Sequence, residues 1–251
     1  SLTASAALSS PPEASATTDK GVAERMMTFD YAVPALAHVA LEPISGVAVV
    51  SAGRAEIWIS TQVADSVRTG VAQRLGISAD AVTIHPLPCG GGFGRRLDSE
   101  YALQIVDIAA AAAVPVRVFW SREQDTACSR FRPAATAQAR VRVGGAEAQL
   151  EATLRVASLG ERQRLDGLQD QPYRGAKLRA ESVGIATPLR VGPWRSVDYS
   201  QNVFFLESLV NDAARAMRQD PLLCRRRWLG DNSRALRVLD AVAAAANWNL
   251  E

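Results

Sequence analysis

Val47–Val50 is a short apolar run and Glu56–Ser60 carries the apolar run Ile57-Trp58-Ile59 between polar ends, with Gly53 between the two segments. That pattern predicts two strands joined by a tight turn. Asp65–Leu75 carries helical spacing and stops at Gly76, a residue suited to ending a helix. Val82–His85 reads as a short strand, and Pro86–Gly94 as a loop rich in glycine and proline. Ser99 is placed to cap a helix over Glu100–Ala113 that puts Tyr101, Ile105 and Ile108 on one face. Val116–Trp120 then reads as a buried strand. Thr136–Val143 and Leu150–Val156 alternate as antiparallel strands across a turn at Gly144-Gly145. Residues 158–177 are polar and irregular, and Arg179–Ala186 is a further strand. Pro188–Tyr199 forms a loop before a long helix over Ser200–Met217. Asp220-Pro221 supplies a cap and a first-turn proline for the next helix, and Arg234–Trp248 predicts a third.

Strands and helices mix here without a strict strand–helix–strand rhythm, and several strands look antiparallel. This favours an α+β fold with mixed and antiparallel strands over a doubly wound sheet. Residues 1–24 are rich in Ala, Ser, Thr and Pro and predict a flexible tail or linker, leaving 25–251 as the folded domain. Apolar residues make up 48% of the 251 and charged residues 22%, which places the chain among globular proteins. A net charge of +2, with lysine only at Lys20 and Lys177, gives no case for a nucleic-acid binder. The longest apolar stretch, Ile105–Val118, is interrupted by Asp107 and Pro115 and predicts no membrane span. No signal peptide is visible at the N-terminus, and the compartment stays open between cytoplasm and periplasm.

Candidate chemistry concentrates in a few segments. Cys89-Gly90-Gly91-Gly92-Phe93-Gly94-Arg95-Arg96 lies between a strand and a helix. Its glycines let backbone approach a ligand, and consecutive N–H groups suit a phosphate or an oxo anion. The loop lacks the Gly-Lys-Ser/Thr of a Walker loop, and Arg95 stands where a dinucleotide fingerprint has its third glycine. A merely tight turn is the alternative. Gly192-Pro193-Trp194-Arg195-Ser196 places an arginine able to pair with an anion beside a tryptophan able to wall an apolar pocket; a buried Trp next to a surface Arg is the plainer reading. His38 and Glu42 are too sparse for a metal site, and neither His38 nor His85 is assigned a catalytic role. The charges of Trp120–Asp125 and Arg130–Pro133 predict local ion pairs and caps, and Arg225-Arg226-Arg227 a solvated helix face. Cys89, Cys128 and Cys224 form no Cys-x-x-Cys pair, which argues against an iron–sulfur or zinc site in the chain. Cys128 and Cys224 read as small buried hydrophobes.

In this order the segments resemble the molybdopterin-binding subunit of the xanthine dehydrogenase/aldehyde oxidase family, of the isoquinoline 1-oxidoreductase β-subunit type. The matching stretches are Tyr31-Ala32-Val33-Pro34 with His38-x-x-Leu41-Glu42-Pro43, Glu56–Gln62, Gly90–Arg96, Trp120–Glu123, Pro193–Val197, and Glu207, Asp212 and Asp220-Pro221. The resemblance implies a molybdenum-cofactor-binding domain type of fold. It implies that Gln62, Gly91, Gly92, Phe93, Gly94, Arg195 and Ser196 contact a molybdenum cofactor, as molybdopterin or its cytosine dinucleotide form. Trp194 would line the substrate pocket, and no side chain would bind the metal directly. The implied reaction is hydroxylation of an aldehyde or N-heterocycle with water as oxygen source. The family's general-base glutamate would lie downstream of Glu251, so the catalytic base is absent from this chain, which would be inactive alone and would need the remaining C-terminal part of the polypeptide. Leu97-Asp98 stands where purine-binding members carry a glutamate, which makes a purine substrate unexpected. Iron–sulfur clusters would belong to a small partner subunit. The alternative is a cofactor-free module that docks such a partner without catalysis.

Overall fold

The computed structural model describes residues 25–143, 150–160 and 164–248. The tail expected over 1–24 and the turn expected at Gly144-Gly145 lie outside them. The chain divides into two compact units. One comprises Leu36–Arg132 and Pro188–Arg195; the other comprises Ser1–Ala35, Pro133–Thr187 and Ser196–Glu251.

The first unit is built on β2 (Ser45–Ser51), β3 (Arg54–Ile59), β4 (Val82–Pro86) and β5 (Val116–Phe119), in the sheet order β4-β3-β2-β5. β2 runs antiparallel to both β3 and β5, and β3 pairs in parallel with β4. Parallel neighbours need a crossover, and α1 (Ala64–Leu75) provides it. It stops at Gly76, which takes the left-handed conformation with its N–H bonded to the Ala72 carbonyl. α1 and α2 (Glu100–Ala112) cover one sheet face, burying Ala48, Ile57, Ile59, Val82 and Ile84 against Val67, Val71, Ile105 and Val106.

Three expectations need correction here. Ser99 does not cap α2; it is already helical, and Asp98 Oδ1 accepts the Glu100 N–H at 3.0 Å. The buried face of α2 is Tyr101, Ala102, Ile105, Val106 and Ala109, centred on small residues that allow close approach, and Ile108 falls at its edge, 46% exposed. β5 is an edge strand rather than a buried one, because in the sheet it pairs only with β2, and its outward side chains, Arg117 and Phe119, are exposed. They cover each other instead, the guanidinium carbon 4.3 Å from the ring centre. A short helix, α3 (Arg122–Cys128), follows with a Ser121/Gln124 capping box.

The second unit carries β1 (Arg25–Val33), β6 (Ala135–Val143), β7 (Glu151–Leu159) and β8 (Lys177–Ile185), in the order β1-β6-β7-β8. The β1–β6 and β6–β7 pairs are antiparallel and β7–β8 is parallel. β1 is not among the strands that the sequence pattern predicts. Four of the six pairings described are antiparallel, in keeping with a mixed α+β fold. Alanines at 135, 137 and 139 present a flat, small face on which α4 (Tyr199–Ala216) seats Phe205, Leu206, Leu209 and Ala213. α5 (Pro221–Leu229) begins as expected, Asp220 Oδ1 accepting the N–H groups of Leu222 and Leu223. It buries Trp228 completely. α6 (Ser233–Ala245) completes the unit. Arg225 departs from the solvated face expected of it: it is half-buried, and its guanidinium donates to Glu207 Oε2 at 2.7 Å and to Asn211 Oδ1 at 2.9 Å. Cys224 is buried as expected; Cys128 is exposed, because α3 lies at the surface.

Candidate functional site

The first unit gathers three of the segments singled out in the sequence. β3 ends at Ile59, and the chain continues through Ser60 and Thr61 to Gln62. The Gln62 N–H donates to the Arg96 carbonyl at 3.0 Å, tying this end of β3 to the exit of the glycine loop. The Gln62 side chain lies beside the loop: a Cβ built on Gly92 would stand 3.0 Å from Gln62 Oε1. The loop itself is a tight, partly left-handed path, with φ of 102° at Gly91, 54° at Phe93 and 101° at Gly94. It closes in a 3-10 turn over Arg95–Leu97, where the Arg95 N–H donates to the Gly92 carbonyl at 2.8 Å.

Gly94 meets the third segment. A Cβ there would press into the Pro193 carbonyl oxygen, so only glycine permits both the positive φ and the approach. His38 fixes the same carbonyl from the other side. Its Nε2 lies 3.0 Å from the Pro193 oxygen and its Nδ1 3.1 Å from Ser129 Oγ. A carbonyl can only accept, so Nε2 carries the proton. Burial pushes the imidazole below its ordinary pKa, and the bond to Pro193 offsets part of that. His38 is therefore a satisfied, buried, neutral histidine. Phe93, 41% exposed, stacks on Trp194 with ring centres 6.3 Å apart and planes at 18°.

Charge beneath the loop is buried and paired. Arg95 Nε donates to Asp125 Oδ1 at 2.9 Å, both side chains being almost wholly buried. This corrects the expectation that Asp125 pairs locally. Arg96, 1% exposed, donates to the Gly91 carbonyl, the Ser60 carbonyl and Glu42. Arg130 pairs with Asp98 at 3.2 Å, and Arg190 with Glu100. A cavity of about 280 Å³ opens here, lined by His38, Arg95, Leu97, Asp98, Arg130 and Pro193 among others.

Of the residues singled out, Gln62, Gly91, Gly92, Phe93, Gly94 and Trp194 are brought together in this unit. Arg195 is exposed at the end of the same loop. Ser196 begins a segment of the other unit, with a φ of 64°. Sequence reasoning missed Arg96, Asp125 and His38 as the groups that hold this geometry. Two adjacent arginines directly after a glycine run were the available signal.

The donor chemistry suits an acceptor-rich ligand. Among the described residues, the N–H groups of Gly91, Gly92, Phe93 and Gly94 have no backbone acceptor. Trp194 Nε1 is buried with no hydrogen-bond partner. A buried donor is nearly always satisfied, so the Trp194 indole points to a partner that brings its own oxygen; the part-exposed N–H groups of the glycine loop are open to the same kind of acceptor.

Comparisons with known proteins place the fold and the family. The solved structure of quinoline 2-oxidoreductase from Pseudomonas putida 86 shares the fold, with a TM-score of 0.78 at 18% identity over 89% of this chain and 32% of that one. Residues 14–153 match the molybdopterin cofactor-binding domain, and the chain belongs to that family. It is 30% identical over 247 residues to the beta chain of isoquinoline 1-oxidoreductase from Brevundimonas diminuta, covering 89% of this chain and 31% of that protein. It is 26% identical over 255 residues to the B chain of nicotinate dehydrogenase from Pseudomonas putida, covering 92% of this chain and 21% of that one. The chain thus spans about a third or less of the length of these relatives. The open N–H groups and the orphaned indole fit the oxygen- and phosphate-bearing cofactor of this family.

Proposed function

We propose that this chain is part of the molybdenum-cofactor-binding subunit of a molybdenum hydroxylase that oxidises an aldehyde or an N-heterocycle with water as oxygen source. The observation that carries the reading is the convergence of Gln62, the open N–H groups of Gly91–Gly94 and Trp194 in one unit of a chain of this family. Gln62 and the loop N–H groups would hold the cofactor, with Arg195 and Ser196 at the adjoining turn. The bound cofactor supplies the two-electron oxidation of the substrate carbon.

The chain's own residues position and polarise. N–H groups fixed in the loop need no reorganisation when charge builds on a ligand oxygen. Phe93 and Trp194 present a flat aromatic wall suited to a planar heterocycle or an aryl aldehyde. No described residue of this chain is assigned as the general base. The iron–sulfur clusters that take the electrons onward belong to a small partner subunit.

The test is to express the native gene with its partner in a host that makes the cofactor, and to measure molybdenum and pterin per protein chain. Near-stoichiometric values of both are expected. A folded, abundant protein with neither would overturn the reading and leave the cofactor-free docking module in its place.

A further inference from the structure

The loop's open N–H groups have a mechanical origin in Glu42 and Arg96, two residues the comparisons do not assign. Glu42 and Gly90 bond reciprocally: the Glu42 N–H donates to the Gly90 carbonyl at 3.2 Å, and Glu42 Oε2 accepts the Gly90 N–H at 2.8 Å. The two backbones lie so close that a Cβ on Gly90 would stand 2.6 Å from Glu42 Cβ. Arg96 reaches under the loop from the other end. Its Nε donates to the Gly91 carbonyl at 3.0 Å and its Nη1 to the Ser60 carbonyl at 3.4 Å. Its Nη2 donates to Glu42 twice, at 2.9 Å to Oε2 and at 3.3 Å to the carbonyl. The Ser60 carbonyl also accepts from the buried Tyr101 hydroxyl at 2.8 Å, which anchors the approach to Gln62.

Every peptide here is trans. In a planar trans peptide the C=O of one residue and the N–H of the next point in opposite directions. Gripping the Gly90 carbonyl through Glu42 therefore turns the Gly91 N–H away from Glu42. Gripping the Gly91 carbonyl through Arg96 turns the Gly92 N–H away from Arg96. The 3-10 turn, by holding the Gly92 carbonyl on the Arg95 N–H, does the same for Phe93. Left unheld, a run of three glycines would sample many such orientations.

We propose that Glu42 and Arg96 form a clasp that pre-orients the N–H groups of Gly91 and Gly92, and with them Gln62, toward an oxygen-rich cofactor. They are positioning residues and touch no reacting atom. The proposal rests on the cofactor reading above, and the experiment separates the two. A guanidinium fork is required, because a lysine ammonium on one flexible stem cannot serve the Gly91, Ser60 and Glu42 acceptors in one fixed plane.

The native protein, co-expressed with its partner in a cofactor-competent host, is compared with Arg96→Lys, Arg96→Gln and Glu42→Gln. Arg226→Gln, which removes an exposed pair with Asp240, serves as control. Two quantities are read: hydrogen exchange of peptides covering residues 88–97, and molybdenum per chain. In each clasp variant, loop exchange is expected to rise about tenfold while β3 stays protected. Molybdenum is expected to fall in the order Glu42→Gln, Arg96→Lys, Arg96→Gln, with the control unchanged. Glu42→Gln keeps an acceptor for Gly90 and the shape of the side chain, so it reports on the clasp even where an arginine variant misfolds. Loop exchange and molybdenum within twofold of wild type in both Glu42→Gln and Arg96→Lys overturn the clasp. Faster exchange with full molybdenum also overturns it, by reducing the pair to a structural contact. A wild-type protein without molybdenum overturns the cofactor reading itself and the clasp's role with it.

Discussion

The two units bury their interiors differently. The one with the sheet β1-β6-β7-β8 packs alanines 135, 137, 139 and 152 against Phe205, Leu206, Leu209 and Trp228. The glycine-loop unit has an equally apolar centre in Ile57, Ile59, Ile105 and Val67, but at one end it also buries the charged Arg95, Arg96 and Asp125 with His38, Ser60 and Ser129, whereas the polar residues buried in the other unit among those described, Ser158, Gln201 and Asn202, are uncharged. Buried apolar contact stabilises without directing anything in particular. Buried paired charge is a poor source of stability, since desolvation cancels most of the attraction, yet it fixes the direction of every group it bonds. The difference teaches that the alanine-faced unit is arranged for stability and the glycine-loop unit, at its loop end, for geometry.

The largest expected effect tests the apolar side. Trp228 is the largest fully buried side chain, and Trp228→Ala leaves a cavity among Leu209, Cys224 and their neighbours. The expected loss is about 3–5 kcal/mol, read by chemical denaturation. Hydrogen exchange should show protection lost across β6 and β7 while β3 and α1 keep theirs. A uniform loss throughout would dissolve the distinction between the units.

Next comes the polar side. Asp125→Ala strands the buried Arg95 guanidinium and should destabilise by about 3 kcal/mol. Replacing both partners, Arg95→Met with Asp125→Leu, should recover most of that stability while leaving the loop less protected from exchange. If the double variant is as unstable as the single one, the pair is a stabilising element and the contrast between the units fails.

A smaller and more local effect is expected at Gly94. Gly94 and Gly53 both have positive φ, 101° and 74°. A Cβ at Gly53 meets nothing within 4 Å, whereas at Gly94 it collides with the Pro193 carbonyl. Gly53→Ala should cost about 1 kcal/mol of left-handed strain. Gly94→Ala should cost about 1–3 kcal/mol more and, in the native protein, lower molybdenum content. Equal costs would mean the Gly94–Pro193 approach constrains nothing.

How far these features are legible in the sequence follows the same division. The helices and inner strands rest on local signals, so Gly76 ending α1, Asp220-Pro221 starting α5 and the β2–β3 hairpin about Gly53 can all be read from it. β5 cannot be placed that way, because an apolar run does not say where in a sheet it lies; its edge position depends on pairing with β2, far away in sequence. β1 escapes notice because Arg25–Val33 becomes a strand only against β6, over a hundred residues on. At the site, the glycine loop declares itself through composition. The partners of Arg95 and Arg96 do not, since Asp125 and Glu42 lie 30 and 54 positions away. Cap chemistry at α2 is likewise ambiguous between adjacent Asp98 and Ser99, and only the backbone angles decide it.

The smallest expected effect concerns His38. Burial lowers its pKa in the folded chain, so as pH falls the unfolded chain takes up the proton first. The stabilisation from burying neutral His38 is complete above the ordinary histidine value of about 6.5 and is lost as pH falls from there through the lower folded value. Denaturation midpoints measured from about pH 7.5 down to about pH 5, above the carboxylate range, should therefore decline. His38→Gln can keep both contacts, its amide N–H donating to the Pro193 carbonyl and its oxygen accepting from Ser129, but it does not titrate. The decline should flatten in that variant. Because the clamp on Pro193 also positions Trp194 beside Phe93, the same pH fall should loosen exchange in residues 191–194 of the wild type and not of the variant. An unchanged slope in His38→Gln would show that the imidazole is held for its shape alone, and the buried polar end of this unit would then owe its geometry to Arg95, Arg96 and their carboxylates.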